Sequence, residues 1–224
     1  MRTTARRLTV ALLLAASCGG VLAAAPGADL TVAVRDRDGH AIAGVVVALA
    51  ARAPAAPLET AAPRPTAVMD QHGLAFVPQI LVIATGTEVR FPNSDDINHQ
   101  VYSFSKPKTF QLPLYKGRSQ PPVLFDRPGL VVLGCNIHDE MVGYIYVADG
   151  PYFGQTGADG TLTLHTVPEG DYRLDIWGPR IVDAPASLRR ELTLRGESRP
   201  VEFRLSKPLK AAPAPRPPRP ESEY

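Results

Sequence analysis

Short apolar segments with period-two alternation run along most of the chain, and they predict an all-β protein. The segments are rich in Val, Leu and Tyr, and turn signals such as Asp38-Gly39 and Asp159-Gly160 separate them. One stretch, 185–192, is compatible with a helix that begins at a proline. The expected architecture is a β-sandwich with Greek-key connections. The predicted strands are 30–34, 45–49, 80–83, 89–91, 130–133, 144–147, 162–164, 172–177, 192–194 and 201–205.

The first 23 residues have the organisation of a secretory signal peptide. Arg2, Arg6 and Arg7 form a positive region that an apolar run follows. Small residues around Ala23 then fit a cleavage site. The apolar run is too short to span a membrane. We therefore expect an exported, periplasmic protein. A lipid anchor at Cys18 is the less favoured reading, because the residues before it match a lipobox poorly.

Loss of this leader changes both the charge and the cysteine count. The chain has 24 basic and 22 acidic residues, and the leader contains three arginines and no acidic residue. The mature chain is therefore close to neutral, and its basicity is no argument for nucleic-acid binding. Cys135 is then its one cysteine, so no intramolecular disulfide can form. A buried thiol, an intermolecular partner and a metal ligand remain as roles for it.

Two stretches break the strand pattern. Residues 51–66 are rich in Ala and Pro and predict an extended surface linker. Residues 207–224 are rich in Pro and contain almost no large apolar side chain. This composition predicts a tail that is disordered or in polyproline II conformation.

Cys135, His138 and Met141 have the spacing Cys-x2-His-x2-Met, between a strand that ends near 133 and one that starts at 143. Thiolate, imidazole and thioether are the ligands that favour copper. A closed zinc site uses four Cys or His ligands, and haem attachment needs Cys-x2-Cys-His. A nucleophilic cysteine would need an oriented base and an oxyanion hole. The structural alternatives stay open: a buried thiol, a loop-capping histidine and a core methionine.

A copper site of this type needs a second histidine, and His99 is the candidate. It follows the predicted strand 89–91 and the polar turn 93–98, just ahead of a further predicted strand at 101–104. Asp95 and Asp96 are expected to form that turn through bonds to their own backbone. The other histidines are expected to be exposed to solvent: His40, His72 and His165.

The segment from about residue 79 to 147 resembles the cupredoxins, the family of small blue copper proteins. The resemblance rests on ILVIATGTEVRFPNSDDINHQVYSFS and VLFDRPGLVVLGCNIHDEMVGYIYV. It is closest to the amicyanin and pseudoazurin branch, and to periplasmic cupredoxin-like proteins labelled methylamine-utilisation proteins. The resemblance implies a Greek-key cupredoxin sandwich at 67–148 that holds one type 1 copper ion, which cycles between Cu(I) and Cu(II).

Carried over to this chain, the family's copper ligands are His99, Cys135, His138 and, as a weak axial ligand, Met141. The resemblance also implies that Asn93 braces the ligand loops, and it places Asn136 next to the ligands. The chain departs from the family before the cysteine, before the second histidine and after it. The departing residues are Val131, Leu133, Ile137, Asp139 and Glu140. Because of these departures, the family's reduction potential and docking surface do not carry over to this chain, whereas its four ligands do.

The flanks carry a second resemblance, to carboxypeptidase-regulatory-like, transthyretin-type β-sandwiches. It rests on LTVAVRDRDGHAIAGVVVALAA at 30–51 and TGADGTLTLHTVPEGDYRLDIW at 156–177. We expect 28–50 and 150–206 to form one small sandwich that the copper-type segment interrupts. The alternative is one enlarged sandwich to which extra strands are added. Insertion is tolerated where loop ends are exposed and close together.

These patterns favour an electron carrier that exchanges single electrons with periplasmic redox partners. The competing hypothesis is a periplasmic protein that binds or hands on copper, for which redox cycling is incidental. An enzyme with a thiolate nucleophile is the least favoured reading, so we do not expect an enzyme. No nucleic-acid partner is expected.

Overall fold

The computed structural model of the protein describes residues 27–53, 64–117, 120–196 and 200–212. The predicted signal peptide, most of the predicted linker and most of the predicted tail lie outside these ranges. The described chain is almost entirely strand and loop, which confirms the all-β prediction. The strands are β1 (Ala28–Arg35), β2 (Val46–Ala51), β3 (Thr66–Val68), β4 (Asp70–Gln71), β5 (Phe76–Val77), β6 (Ile80–Ala84), β7 (Thr87–Arg90), β8 (Tyr102–Ser105), β9 (Lys108–Gln111), β10 (Val123–Phe125), β11 (Gly129–Cys135), β12 (His138–Ala148), β13 (Tyr152–Gln155), β14 (Thr161–Val167), β15 (Gly170–Trp177), β16 (Arg189–Leu194) and β17 (Val201–Arg204).

Each strand predicted from the alternation overlaps an observed one. The pattern missed β3, β4, β5, β9, β10 and β13, which have two to four residues each and are too short to show a period. The stretch 185–192, whose sequence is compatible with a helix, does not form one. Only Pro185–Leu188 forms a 3-10 turn, and β16 begins at the next residue. The pairing of β16 with β15 overrides the local propensity, because it continues the sheet that covers the apolar core.

Strands from the two ends of the described chain form one β-sandwich, which we call the flanking sandwich. One sheet has the order β14-β1-β17 and the other β13-β2-β15-β16. Alternating residues of β1 turn inward, so Leu30, Val32 and Val34 are fully buried. They share one core cluster with Leu174 of β15 and Phe203 of β17. Burial of this apolar surface is the main favourable term for the flanking sandwich.

The segment between these flanks forms a second sandwich, which we call the central sandwich. Its sheets have the orders β10-β7-β3 and β6-β12-β11-β8-β9, and β4 and β5 form a hairpin beside them. The inward residues of β11 are Val131, Leu133 and Cys135, which are all buried. They share a core cluster with Phe125 of β10 and Ile145 of β12. Among the described strands, no sheet combines strands of the two sandwiches.

The two sandwiches meet at the second half of β12. The Trp177 ring lies 5.3 Å from the Tyr144 ring and 6.3 Å from the Tyr146 ring, measured between centroids. The first residue of β12 is His138, six residues before Tyr144. At about 3.3 Å per residue, His138 is therefore roughly 20 Å along the strand from this aromatic contact. The flanking sandwich meets β12 well away from the Cys135–His138 turn.

The beginning of the predicted tail is ordered against the flanking sandwich. Lys210 N donates to Arg180 O at 2.9 Å, and Arg180 Nε donates to Lys210 O at 2.7 Å. Leu209 packs on the flanking core. Ordered chain therefore continues past residue 207, where the composition placed the start of the tail. Within the described ranges, the structure contains no helix with the length and apolarity that a membrane crossing requires.

Candidate metal centre

A tight hairpin brings Cys135 and His138 together. β11 and β12 are antiparallel, and these two residues are the last cross-strand pair before the turn. The register shifts between Gly134 and Cys135, because Gly134 faces Val142 while Cys135 faces His138. The irregularity accommodates the extra residues 139–141 on β12, as a β-bulge does. Met141 is turned into the core, whereas Asp139 and Glu140 are exposed. The second strand therefore starts at His138, not at 143 as the sequence predicted.

His99 is supplied by the loop between β7 and β8. Its backbone pairs with that of Tyr115, with N–O distances of 3.0 Å in both directions. Asn93 closes the loop, because its Nδ2 donates to Ile97 O and to Tyr115 O, each at 2.8 Å. Asn93 Oδ1 also accepts from Asp95 N at 3.0 Å. These bonds fix the backbone around His99, whose side chain is fully buried.

The side chains of His99, Cys135 and His138 converge on one point. The two Nδ1 atoms are 3.2 Å apart. The Cys135 Sγ lies 3.9 Å from His99 Nδ1 and 3.7 Å from His138 Nδ1. A triangle with these edges has a centre about 2.1 Å from each corner, which is close to the bond lengths of about 2.0–2.3 Å that zinc makes to imidazole and thiolate. A first-row metal ion therefore fits this donor triangle.

The donors are of the types that copper prefers. Two imidazoles and one thiolate are the trigonal set of blue copper proteins, with a weak axial thioether. Met141 is fully buried and belongs to the same core cluster as Cys135, which places a thioether in this part of the core. Cys135 is a buried free thiol. His138 is partly buried and lies at the protein surface.

Asp95 binds the far side of the His99 ring. Its Oδ2 lies 2.8 Å from His99 Nε2. Burial raises the pKa of Asp95, but hydrogen bonds from Leu74 N, from His99 and from Gly73 N outweigh it, and the net pKa is lowered. At this distance the carboxylate can accept a hydrogen bond from His99 Nε2, and a neutral ring with its proton there has its lone pair on Nδ1, toward Cys135. The sequence predicted that the Asp95 side chain would bond to the backbone of its own turn, whereas it bonds to the backbone of another turn, at Gly73 and Leu74, and to His99.

Tyr115 and Gln71 complete a buried polar network under the loop. Tyr115 OH donates to Phe91 O and accepts from Gln71 Nε2. Burial raises the pKa of Tyr115 to about 12, so the phenol keeps its proton. Sequence analysis missed these two residues and the role of Asp95. The spacing Asp95-x3-His99 was a local signal, whereas Gln71 and Tyr115 reach the network only through tertiary contacts.

The remaining sequence candidates lie outside the donor triangle. Asn136 is exposed in the hairpin turn. His40, His72 and His165 are all exposed, as expected. His72 Nδ1 is 3.6 Å from Asp95 Oδ1, so this histidine lies behind Asp95. A second trio of donors, Asp36, Asp38 and His40, forms an exposed turn that Asp36 caps through the backbone N of Asp38 and of His40.

Comparisons with known proteins give matches among solved structures. No family model matches the chain, and no curated protein matches it. The chain is similar to a copper-containing nitrite reductase (NirK) from Thermus scotoductus SA-01, with 27% identity over 44% of this chain and 25% of that chain, and a TM-score of 0.37. It is similar to a mutant of amicyanin in the Cu(I) state, with 19% identity over 37% of this chain and 81% of that chain, and a TM-score of 0.34. It is also similar to a purple cupredoxin from Nitrosopumilus maritimus, with 21% identity over 38% of this chain and 99% of that chain, and a TM-score of 0.33. The chain spans a quarter of the nitrite reductase, and each of these matches covers less than half of this chain.

Proposed function

We propose that the protein is a type 1 copper protein that carries single electrons between redox partners in the periplasm. The observation that carries this proposal is the donor triangle of His99, Cys135 and His138, with edges of 3.2, 3.7 and 3.9 Å. One thiolate and two imidazoles at these distances are the ligands of a blue copper centre. Met141 is the proposed axial ligand. Copper bound here would supply one-electron exchange between Cu(I) and Cu(II).

The protein's own contribution is to hold the ligands in place before metal arrives. Each of the three donors is attached to paired backbone: Cys135 and His138 to the β11–β12 ladder, and His99 to Tyr115. His99, Cys135 and Met141 are buried, which excludes water from most of the centre. Ligands on rigid, packed elements move little, so the same donor arrangement can serve both oxidation states. This rigidity suits a carrier that must exchange electrons with little rearrangement.

His138 is the proposed route of electrons to the surface. It is the least buried of the three triangle residues, and the neighbouring Ile137 side chain is 48% exposed. Asp139 and Glu140 directly follow His138 in the chain and are exposed. These carboxylates favour a redox partner with a basic docking surface, and they act mainly on the rate of encounter.

The periplasmic location rests on the leader at 1–23. Its positive start, short apolar run and small residues near 23 are those of a secretory signal. Export also suits the single buried cysteine of the mature chain, because a metal-bound thiolate is shielded from disulfide exchange in an oxidising compartment. Release of a chain that begins near residue 24 would be detected by mass spectrometry of a periplasmic extract.

The decisive experiment is absorption and EPR spectroscopy of the mature chain purified from a periplasm supplied with copper. We expect an intense thiolate-to-Cu(II) band and a narrow copper hyperfine splitting in the wild type. Both should disappear in Cys135→Ser and in His99→Ala. His165→Ala is the matched control, because this imidazole is exposed in the flanking sandwich, and it should leave both signals unchanged.

Two other outcomes would contradict the proposal. A colourless protein that binds Cu(I) tightly and releases it to a chelator would support the handling of copper instead of electron transfer. A protein that binds copper in neither oxidation state would overturn the assignment of the ligands.

A further inference from the structure

The turn between β4 and β5 has an unusual backbone that faces Asp95. Gly73 and Leu74 are consecutive residues with φ values of +62° and +59°. Left-handed conformation is unfavourable for a residue with a side chain such as Leu74, and it persists only where the surroundings hold it. The turn is a two-residue hairpin, because His72 and Ala75 exchange backbone hydrogen bonds of 3.0 and 3.2 Å.

Hydrogen bonds to the Asp95 carboxylate hold this turn in its conformation. Gly73 N donates to Asp95 Oδ1 at 2.6 Å, and Leu74 N donates to Asp95 Oδ2 at 3.0 Å. The backbone N–H groups of both turn residues therefore donate to one carboxylate. A pair of backbone N–H groups that point at the same anion fixes its position and its orientation. The Asp95 side chain is only 13% exposed, so water competes little for these bonds.

The same carboxylate then fixes His99. Asp95 Oδ2 lies 2.8 Å from His99 Nε2, while His99 Nδ1 faces the donor triangle. A carboxylate on the outer nitrogen of a ligand imidazole selects the tautomer, sets the ring orientation and raises the basicity of the inner nitrogen. The chain of contacts runs from a strained turn, through one carboxylate, to a predicted metal ligand.

We propose that Asp95 is the positioning residue of the metal centre, and that the Gly73–Leu74 turn serves to hold Asp95 in place. The proposal rests on the proposed role of His99 as a ligand. Asp95 keeps the His99 proton on Nε2 and leaves the Nδ1 lone pair directed at the metal. It also places a negative charge behind the ring, which favours Cu(II) over Cu(I).

Asparagine cannot take over this role, although it has nearly the same shape. Each carboxylate oxygen of Asp95 accepts from one backbone N–H, and Oδ2 accepts from His99 as well. An asparagine amide has one oxygen and one NH2 group. In either orientation the NH2 group faces an N–H donor of the turn, so at least one hydrogen bond is lost. Asp95→Asn therefore tests the carboxylate with little change in volume.

The experiment begins with the wild-type chain, free of metal and at one fixed pH. Nitrogen-15 NMR of the imidazoles identifies which nitrogen of His99 carries the proton. We expect it on Nε2 in the wild type, and a redistribution toward Nδ1 in Asp95→Asn. A proton on Nδ1 in the wild type would overturn the proposal without any variant. This readout does not depend on copper or on electron transfer.

The second measurement is the affinity for Zn²⁺, by competition with a chelator. We expect Asp95→Asn to bind Zn²⁺ about 10–100-fold more weakly than the wild type, as for other partners of ligand histidines. Asp96→Asn is the matched control. It removes the same charge at the neighbouring residue, whose side chain is fully exposed. Its affinity should stay within about twofold of the wild type. Equal losses in the two variants would show a general charge effect and overturn the proposal.

The copper-loaded protein gives a third readout. If Asp95→Asn weakens Cu(II) binding tenfold relative to Cu(I), the reduction potential rises by about 59 mV. An unchanged potential together with an unchanged His99 tautomer would overturn the positioning role. If the wild type gives no blue copper signal but retains the Nε2 proton and the Asp95-dependent Zn²⁺ affinity, then the electron-transfer function fails while the role of Asp95 stands.

Discussion

The central and flanking sandwiches have similar apolar cores but differ in the polar residues that they bury. In the described chain the central sandwich buries more of them: Gln71, Thr87, Asn93, His99, Gln100 and Ser103. The flanking sandwich buries Thr156 and Asp183. Burial of a polar group is unfavourable unless hydrogen bonds compensate for it. A dense set of buried polar groups therefore marks the part of the molecule whose structure serves something besides stability.

The buried polar groups also differ in what they connect. Thr156 and Asp183 join neighbouring loops of the flanking sandwich, to residues 42–45 and 206–207 respectively. In the central sandwich, Asn93 and Gln71 both bond to the loop that carries His99, at Ile97 O and Pro92 O respectively. In the flanking sandwich, which we call the scaffold, the buried polar groups connect loops to one another. In the central sandwich they hold the loop that supplies His99 to the site.

The largest predicted effect tests whether the two cores are independent. Phe203→Ala in the flanking core and Phe125→Ala in the central core each remove a fully buried ring. Each should reduce the free energy of unfolding of its own sandwich by about 3–5 kcal/mol. Calorimetry measures the loss, and chelator competition measures Zn²⁺ affinity. Only Phe125→Ala should weaken Zn²⁺ binding, so an equal loss of affinity in Phe203→Ala would contradict the separation of scaffold and site.

A smaller effect comes from Asn93, the polar residue that closes the His99 loop. Asn93→Ala leaves Ile97 O and Asp95 N, which are both partly buried, without their bonds to Asn93. We expect a destabilisation of about 3 kcal/mol and weaker metal binding. Thr156→Val is the flanking counterpart, since it also removes a buried donor and acceptor. It should destabilise by about 1–2 kcal/mol and leave the metal affinity intact. Unchanged metal affinity in Asn93→Ala would show that the loop does not depend on this side chain.

Added metal should stabilise only one of the two sandwiches. A ligand that binds only the folded state stabilises it by about 2.7 kcal/mol when its free concentration is one hundred times its dissociation constant. Zn²⁺ should therefore raise the unfolding temperature of the central sandwich and leave that of the flanking sandwich unchanged. Calorimetry with and without Zn²⁺ measures this, and Cys135→Ser should abolish the shift. A shift that persists in Cys135→Ser would indicate binding elsewhere.

The two sandwiches also differ in how much of their structure the sequence could predict. In the flanking sandwich, β1 and β15 alternate over eight residues each, so their period is visible, and β2 is a continuous apolar run of six residues. The motif from Cys135 to Met141 is visible because its residues are close in the sequence. The two-residue strands β4 and β5 and the pairing of His99 with Tyr115 leave no local pattern. Asp95 was assigned to its own turn because local geometry explains most aspartates in such positions, whereas its bonds to Gly73 and Leu74 come from a hairpin about twenty residues away.

The smallest predicted effect concerns pH and belongs to the flanking sandwich. Burial raises the pKa of Asp183, but hydrogen bonds from the Ser206 hydroxyl, Ser206 N and Lys207 N outweigh it, and the net pKa is lowered. A carboxyl whose pKa is lower in the folded state contributes stability at pH values above its unfolded pKa of about 3.9, and this contribution is lost as the pH falls through the folded pKa. Asp183→Asn should therefore reduce the free energy of unfolding by about 1 kcal/mol at pH 7, because its amide accepts weaker bonds than a carboxylate. The difference from the wild type should shrink steadily as the pH falls below 4, as measured by urea unfolding across that range. A difference that stays constant down to pH 2 would show that Asp183 contributes through its shape and not through its charge. Asp183, the one carboxylate that the described part of the flanking sandwich buries, would then be a packing element like the rest of that scaffold.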